Sequence, residues 1–255
     1  MAEFYVEPFA GSLAVLFAKP RARHEIVNDL DGGLVTFFRV LRDRPDDLIR
    51  ACTLTPFSRA EHAMVVETQP WDDCDDVERA RRFWVRVQQS FNRQGSGSGW
   101  VFSTQQSKNR AAYQLALVDR MEACAARLRG VAIEHGSAVD VIERYADKRA
   151  VVYLDPPYVH ASRASLGKRR RDYTHEMTDD DHRELAAVLH ASPATVVLSG
   201  YDSDLYRELY GGWWMTVKSA PVYSGTWNGS ARTAVEVLWS NRPLEGRLFD
   251  VGASA

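Results

Sequence analysis

Four β-forming residues, Val151-Val152-Tyr153-Leu154, run directly into Asp155-Pro156-Pro157-Tyr158. No other stretch of the chain restricts its fold as tightly. A short apolar run bounded by turn residues reads as a strand buried on both faces, the kind found in parallel sheets. Two successive prolines offer no backbone N–H and hold φ at about −65°, so the strand stops there. The aspartate is left on a stiff turn at the strand's carboxyl end, which is where open α/β sheets place their ligands.

The remaining strands follow from the same kind of reading. Phe4-Tyr5-Val6 is a short strand ending at Glu7-Pro8, after which Gly11-Ser12 opens a helical stretch from Leu13 to Ala18. Glu25-Ile26-Val27 is a second strand ending in Asn28-Asp29, followed by a helix with Leu34, Phe37, Phe38, Val40 and Leu41 at helical spacing. Val131 to Glu134 reads as a strand and Ala138 to Tyr145 as a helix. Thr178 caps a helix running to His190, with Asp179, Asp180 and Asp181 on its positive end. Thr195 to Leu198 is a strand closed by Ser199-Gly200. Met215 to Val217 and Thr233 to Trp239 read as a pair of strands joined by a Gly/Ser/Asn-rich turn.

From about Arg44 to Leu128 the pattern is helical instead, clearest over Ala80 to Phe91 and Ala111 to Leu128. Gly95-Ser96-Gly97-Ser98-Gly99-Trp100 forms a loop tipped by an aromatic between them. The predicted fold is therefore α/β and Rossmann-like, with a mostly parallel sheet and a C-terminal antiparallel hairpin. Residues 1–44 and 129–255 make its main domain, and residues 45–128 an inserted helical subdomain.

Composition narrows the setting. No apolar run approaches the roughly 18 residues that span a bilayer, and Glu3 and Glu7 stand where a secretion signal carries positive charge. Cys52, Cys74 and Cys124 are odd in number, far apart and outside C-x-x-C spacing, which suits a reducing cytoplasm and argues against structural zinc. The 7 histidines show no metal-ligand spacing either. A net charge of −2 gives no global sign of nucleic-acid binding, but phosphate contacts need only one basic face. Acid is concentrated in Trp71-Asp72-Asp73-Cys74-Asp75-Asp76. Base is concentrated in Lys168-Arg169-Arg170-Arg171, with Arg163 just before it; such a run is ordinarily a solvated loop.

Asp155-Pro156-Pro157-Tyr158 on its own terms is either a rigid turn with a solvent-facing aspartate or a device for holding an amine. The exocyclic nitrogen of adenine is a poor nucleophile because its lone pair is delocalised into the ring. Two acceptors, the Asp155 carboxylate and the Pro156 carbonyl, suit the N–H bonds of a nitrogen becoming tetrahedral, and the prolines stiffen the backbone that aims them. Asp155 suits the proton released afterwards, and Tyr158 offers a face for a base extruded from the duplex.

Glu7-Pro8-Phe9-Ala10-Gly11, Asn28-Asp29, Asp155-Pro156-Pro157-Tyr158 and Leu198-Ser199-Gly200-Tyr201 occur in the order shown by Dam-type adenine DNA methyltransferases of the α group, which the chain resembles over nearly its whole length. Phage-borne members are especially similar. The resemblance implies the Rossmann-like fold of S-adenosylmethionine-dependent methyltransferases and transfer of that cofactor's methyl group to adenine in double-stranded DNA, with no metal and no membrane. It assigns Glu7, Pro8, Phe9, Ala10, Gly11 and Ser12 to the methionine end of the cofactor and Asn28-Asp29 to the ribose. Glu134 and His135 belong to the stretch walling the adenine pocket, where Ser137-Ala138 stands in place of the family's acidic–aromatic pair; Asp155 closes the cofactor site. It also implies DNA contact by Arg163, Lys168, Arg169, Arg170, Arg171 and Tyr173, beside the catalytic mouth. The helical block becomes a target-recognition region, with Arg93, Gln94, Trp100, Gln105, Gln106, Lys108, Asn109 and Arg110 as candidates; a polar surface hairpin is the alternative.

Family members usually carry a glycine-lysine-rich motif well before the first strand, and Gly211-Gly212 lacks a following lysine. Three alternatives meet this departure: a shortened start, a partner chain or upstream segment that completes the cofactor site, or a weakly active DNA-binding protein on the same fold. Methylation of an amine in RNA or protein is a further alternative, against which Asp155 and the basic run weigh.

Overall fold

The computed structural model describes residues 3–90, 99–101, 109–159, 175–222 and 232–244. In chain order the first elements are β1 (Phe4–Glu7), α1 (Ala14–Ala18), β2 (His24–Asp29), α2 (Gly32–Asp43), α3 (Pro45–Thr53), α4 (Arg59–Glu67) and α5 (Asp76–Gln89). They are followed by α6 (Arg110–Val118), α7 (Met121–Leu128), β3 (Val131–His135), α8 (Ala138–Tyr145) and β4 (Ala150–Leu154). The last are α9 (Asp179–Ala191), β5 (Thr195–Tyr201), α10 (Asp204–Tyr210), β6 (Trp214–Val222) and β7 (Arg232–Ser240). They fall into two compact units: Met1–Phe9 with Ala138–Arg170 and Met177–Ala255, and Ala10–Ser137 with Arg171–Glu176.

The first unit holds five strands in the order β1-β4-β5-β7-β6. β1, β4 and β5 are parallel, with Val6 opposite Val152 and Leu154 opposite Leu198. β7 runs antiparallel to β5, and β6 antiparallel to β7. The expected terminal hairpin is thus present. β4 is the buried strand anticipated from its apolar run, with Val152 and Leu154 wholly inaccessible. Thr178 caps α9 with a full capping box, its side chain accepting from Asp181 N while Asp181 accepts from Thr178 N.

One boundary differs from the sequence reading. β5 does not close at Ser199-Gly200 but runs on to Tyr201, with Ser199 opposite Leu238 and Tyr201 opposite Glu236. The reason for glycine there is a close approach: a Cβ at Gly200 would lie 2.8 Å from the Tyr206 ring. That ring packs at 5.1 Å against Trp239, in an aromatic cluster that continues through Tyr210. The helix that carries Tyr206 and Tyr210, α10, was not expected.

The second unit pairs β2 with β3 in parallel, Asp29 opposite His135, and packs α2 against α5. Its core contains Leu41, Leu48, Cys52, Ala80, Trp84 and Leu128. Two helices whose bounds the sequence reading did not give occupy the stretch after Arg44: α3 starts with proline at its first turn followed by Asp46 and Asp47, and α4 is capped by Ser58. α5 begins earlier than expected, at Asp76, because Asp75 caps it by accepting from Glu78 N. The acidic run of the sequence is therefore largely the loop into a helix N-terminus, which favours negative charge. The stretch Ala111 to Leu128 is two helices rather than one, interrupted where Arg120 N donates to Leu117 O instead of four residues back. Apolar periodicity continues through that break, so the sequence carries no mark of it.

Candidate active site

β1, β4 and β5 end side by side in the first unit, and their carboxyl ends bring Glu7, Asp155 and Tyr201 to one edge of its sheet. Asp155 follows β4 immediately. Pro156 beneath it is buried, while Pro157 and Tyr158 are half-buried and Val159 is buried again, so the turn is anchored on both sides of the aspartate. Asp155 itself reaches solvent. Loss of hydration nonetheless raises its carboxyl above the ordinary range, a bond from the Tyr158 hydroxyl lowers it, the charge of Glu236 raises it again, and a bond from Ser199 lowers it. Two donors occupy two of the roughly four lone-pair positions of a carboxylate, so acceptor capacity remains for an incoming N–H.

Further side chains complete the surroundings of Asp155. Ser199, 9% exposed, stands within hydrogen-bonding reach of both Asp155 and the Tyr153 hydroxyl. Tyr153 is raised chiefly by burial and then by the Asp155 charge. Tyr201 meets Tyr158 with ring centroids 4.4 Å apart. Ser199 and Tyr201 belong to the Leu198-Ser199-Gly200-Tyr201 motif and Tyr153 to the strand that ends at Asp155, whereas no local signal marks Glu236, which arrives by strand register. At the end of β1, Glu7 is 2% exposed and accepts from the Tyr5 hydroxyl at 2.8 Å. Pro8 is buried and Phe9 half-buried.

The second unit holds Ala10, Gly11, Ser12, Asn28, Asp29, Glu134 and His135. Ala10 N donates to Asn28 O at 2.8 Å, and Asn28 Nδ2 donates to Gly136 O at 3.0 Å, which ties the loop after residue 9 and the end of β3 to the end of β2. Gly11 has φ +46 and Leu13, the residue before α1, has φ 54. The glycine takes this left-handed backbone freely, whereas a leucine is strained in it, by about 1–2 kcal/mol. Leu13 is wholly buried, so packing holds it there.

Asp29 does not cap α2; Asp31 does, accepting from Gly33 N and Leu34 N. Asp29 instead accepts from Gly11 N at 3.0 Å with Oδ2 and from Asp31 N at 2.9 Å with Oδ1. Burial raises its carboxyl, the two N–H bonds lower it, the Asp31 charge raises it and His175 lowers it, with a net upward shift. Each oxygen keeps a lone pair, which suits a pair of vicinal hydroxyls. Leu30 next to it leaves 50% of its surface exposed, an apolar face for a flat ring. The residues present thus fit an adenosine. Glu134 is half-buried, and His135 Nε2 lies 3.3 Å from Leu30 O.

Among the DNA-contact candidates, Arg110 opens α6 half-buried, Asn109 caps that helix by accepting from Ala112 N, and Trp100 lies 5.3 Å from Phe57 with the Arg59 guanidinium over its ring at 4.9 Å. Arg93, Gln94, Gln105, Gln106, Lys108, Arg163, Lys168, Arg169, Arg170, Arg171 and Tyr173 lie outside the described residues. No group of three or more metal-binding side chains occurs among the described residues, and no helix there is long and apolar enough to cross a membrane.

Residues 2–220 match the family described as D12 class N6 adenine-specific DNA methyltransferase. The chain belongs to that class, and its reaction is methylation of the adenine N6 amine in DNA with S-adenosylmethionine as donor. Among curated relatives, the type II methyltransferase M.MjaIII of Methanocaldococcus jannaschii is 26% identical over 82% of this chain and 77% of its own length. M1.LlaDCHI of Lactococcus lactis, also a type II methyltransferase, is 26% identical over 81% and 75%. The DNA adenine methylase of Salmonella typhi is 24% identical over 82% and 75%. A crystal structure of SMU.472, a putative methyltransferase complexed with SAH, aligns over 91% of this chain and 52% of that one at 14% identity and a TM-score of 0.33, a likeness too slight to bear on fold or site.

Proposed function

We propose that Asp155 and Pro156 grip the target adenine and that the Gly11 loop and Asp29 hold the cofactor. S-adenosylmethionine, when bound, supplies an electrophilic methyl group. Every other demand falls on the chain. Asp155 accepts one N–H of the amine and the Pro156 carbonyl the other, which draws the nitrogen toward tetrahedral geometry and frees its lone pair. When the nitrogen has gained its methyl group it carries one proton too many, and Asp155 takes it. A carboxylate with a raised pKa is a better proton acceptor than an ordinary one. Tyr158 and Tyr201 supply aromatic surface beside the carboxylate for the extruded base.

The substrate in this reading is double-stranded DNA. The helical block of residues 45–128 reads the target sequence, and the basic segment from Arg163 to Tyr173 contacts phosphates. The work takes place in the cytoplasm, where the three free cysteines stay reduced. The observation that carries the proposal is the solvent-reaching but poorly hydrated Asp155 at the end of β4 with lone pairs to spare. Asp155→Ala should abolish incorporation of labelled methyl groups into duplex adenine while circular dichroism stays unchanged. Undiminished incorporation would overturn the assignment.

A further inference from the structure

Asp31 makes three connections at the start of α2. Its N–H donates to Asp29 Oδ1 at 2.9 Å, its Oδ1 accepts from Gly33 N at 2.8 Å and Leu34 N at 3.3 Å, and its Oδ2 accepts from Arg86 Nη2 at 3.3 Å. Arg86 belongs to α5, 55 positions further along the chain. Its side chain is only 8% exposed. The guanidinium lies 5.3 Å from the Trp71 ring and 5.0 Å from the Phe83 ring, and Nη1 reaches Gln69 Oε1 at 3.4 Å, while Nε is buried without a hydrogen-bond partner. An unmet N–H on a buried cation is costly, so the position calls for a reason beyond packing.

That reason lies in the carboxylates it faces. Asp29 and Asp31 are two residues apart at the mouth of α2, and like charges so placed oppose each other's ionisation. The hydrogen bonds run without a gap from Arg86 to Asp31, from Asp31 to Asp29, and from Asp29 to the Gly11 loop. A cavity of about 640 Å³ beside them is lined by Arg39, Arg79 and His135 as well as by Arg86 and Asp31.

We propose that Arg86 is a positioning residue for the cofactor: by pairing with Asp31 it offsets the repulsion on Asp29 and keeps the ribose-holding carboxylate charged. Affinity for S-adenosylmethionine is thereby tied to the helical block. This rests on the reading of Asp29 as the ribose acid.

The other charged groups around Asp29 are His135, its partner across the β2–β3 pair, and His175, which acts on its charge. Behind Asp31, Arg79 is committed to Trp71 O and Asp72 O, and Arg39 is exposed on α2. Neither histidine changes in the variants that follow.

The test is calorimetric titration of the full chain with S-adenosylmethionine across the acid range. Arg86→Gln should bind about 5-fold more weakly at neutral pH and lose affinity at a higher pH than the parent. Asp31→Asn keeps a capping oxygen but removes a negative charge, so its loss of affinity should move to lower pH. Arg86→Lys should restore most of the parent profile. A purely structural role would lower affinity in both Arg86→Gln and Asp31→Asn without shifting their profiles in opposite directions. If Arg86→Gln does not fold, the downward shift in Asp31→Asn carries the test alone. Asp29→Asn separates the two levels of the argument. If it binds as the parent does, the ribose reading fails and this inference with it. If it binds weakly while folded Arg86→Gln keeps the parent profile, the inference alone is overturned.

Discussion

Strand β2 carries a carboxylate near each end, and the two are held in opposite ways. At the amino end Glu25 is 4% exposed and accepts from Lys19 Nζ at 2.5 Å, from Arg127 Nη2 at 2.8 Å and from Ala22 N at 3.0 Å. Burial pushes this carboxyl up, but the bonds from Arg127 and then Lys19 outweigh it and hold it at about 2. At the carboxyl end Asp29 accepts from backbone N–H groups, and burial carries it above the ordinary range. Asp155, after β4, is raised in the same direction. The amino end of β2 thus uses charge to fasten the loop before it to α7, through Arg127 and through Arg21, which donates to the α7 carbonyls of Ala126 and Arg127. The carboxyl ends leave charge poorly compensated and therefore open to a ligand.

The contrast is most directly broken at Glu25. Glu25→Gln should destabilise the fold by about 3–5 kcal/mol in urea denaturation, because two cations lose their buried partner, while methyl transfer per folded molecule stays unchanged. A stability loss near zero would show that the ion pairs at the amino end do no structural work.

Asp155→Asn should do the reverse. Methyl transfer should fall by about 10²–10³-fold in single-turnover assays. Its thermal midpoint should rise slightly at neutral pH, since a carboxylate raised on folding opposes the folded state wherever it is ionised. A lowered midpoint would place Asp155 among the groups that stabilise the fold.

Asp29→Asn should weaken S-adenosylmethionine binding by about 10-fold or more in calorimetry, with little effect on folding. The smallest effect is the separation of two pH profiles. Glu25, lowered on folding, stabilises above its unfolded pKa, and this is lost as pH falls toward about 2. Asp29 and Asp155, raised on folding, lose their charge first on acidification, and their protonation favours the folded state. Activity should therefore fall on the acid side before circular dichroism reports loss of these ion pairs, and coincident profiles would remove the distinction.

Much of the fold is legible in single stretches of sequence. The end of β4 at two prolines, the capping box at Thr178 and Asp181, and the pairing of β6 with β7 all show as local patterns. The helices of residues 45–67 had signals too, proline followed by two acids in α3 and Ser58 before α4, but each helix is short and its apolar face weakly marked. The site divides in the same way. Asp155 and Asp29 stand on motifs at strand ends, whereas Ser199 and Glu236 reach Asp155 through the alignment of β4, β5 and β7.

What the chain determines by itself is where strands stop and which acids are left there, because proline geometry and helix capping act within a few residues. Which acid caps α2, which carboxylate is neutralised and which is left exposed to a ligand are decisions of the tertiary structure. Arg86 meets Asp31 across 55 positions and Arg127 meets Glu25 across 102. Electrostatic contacts of that range depend on how helices and strands pack, and no local pattern encodes them.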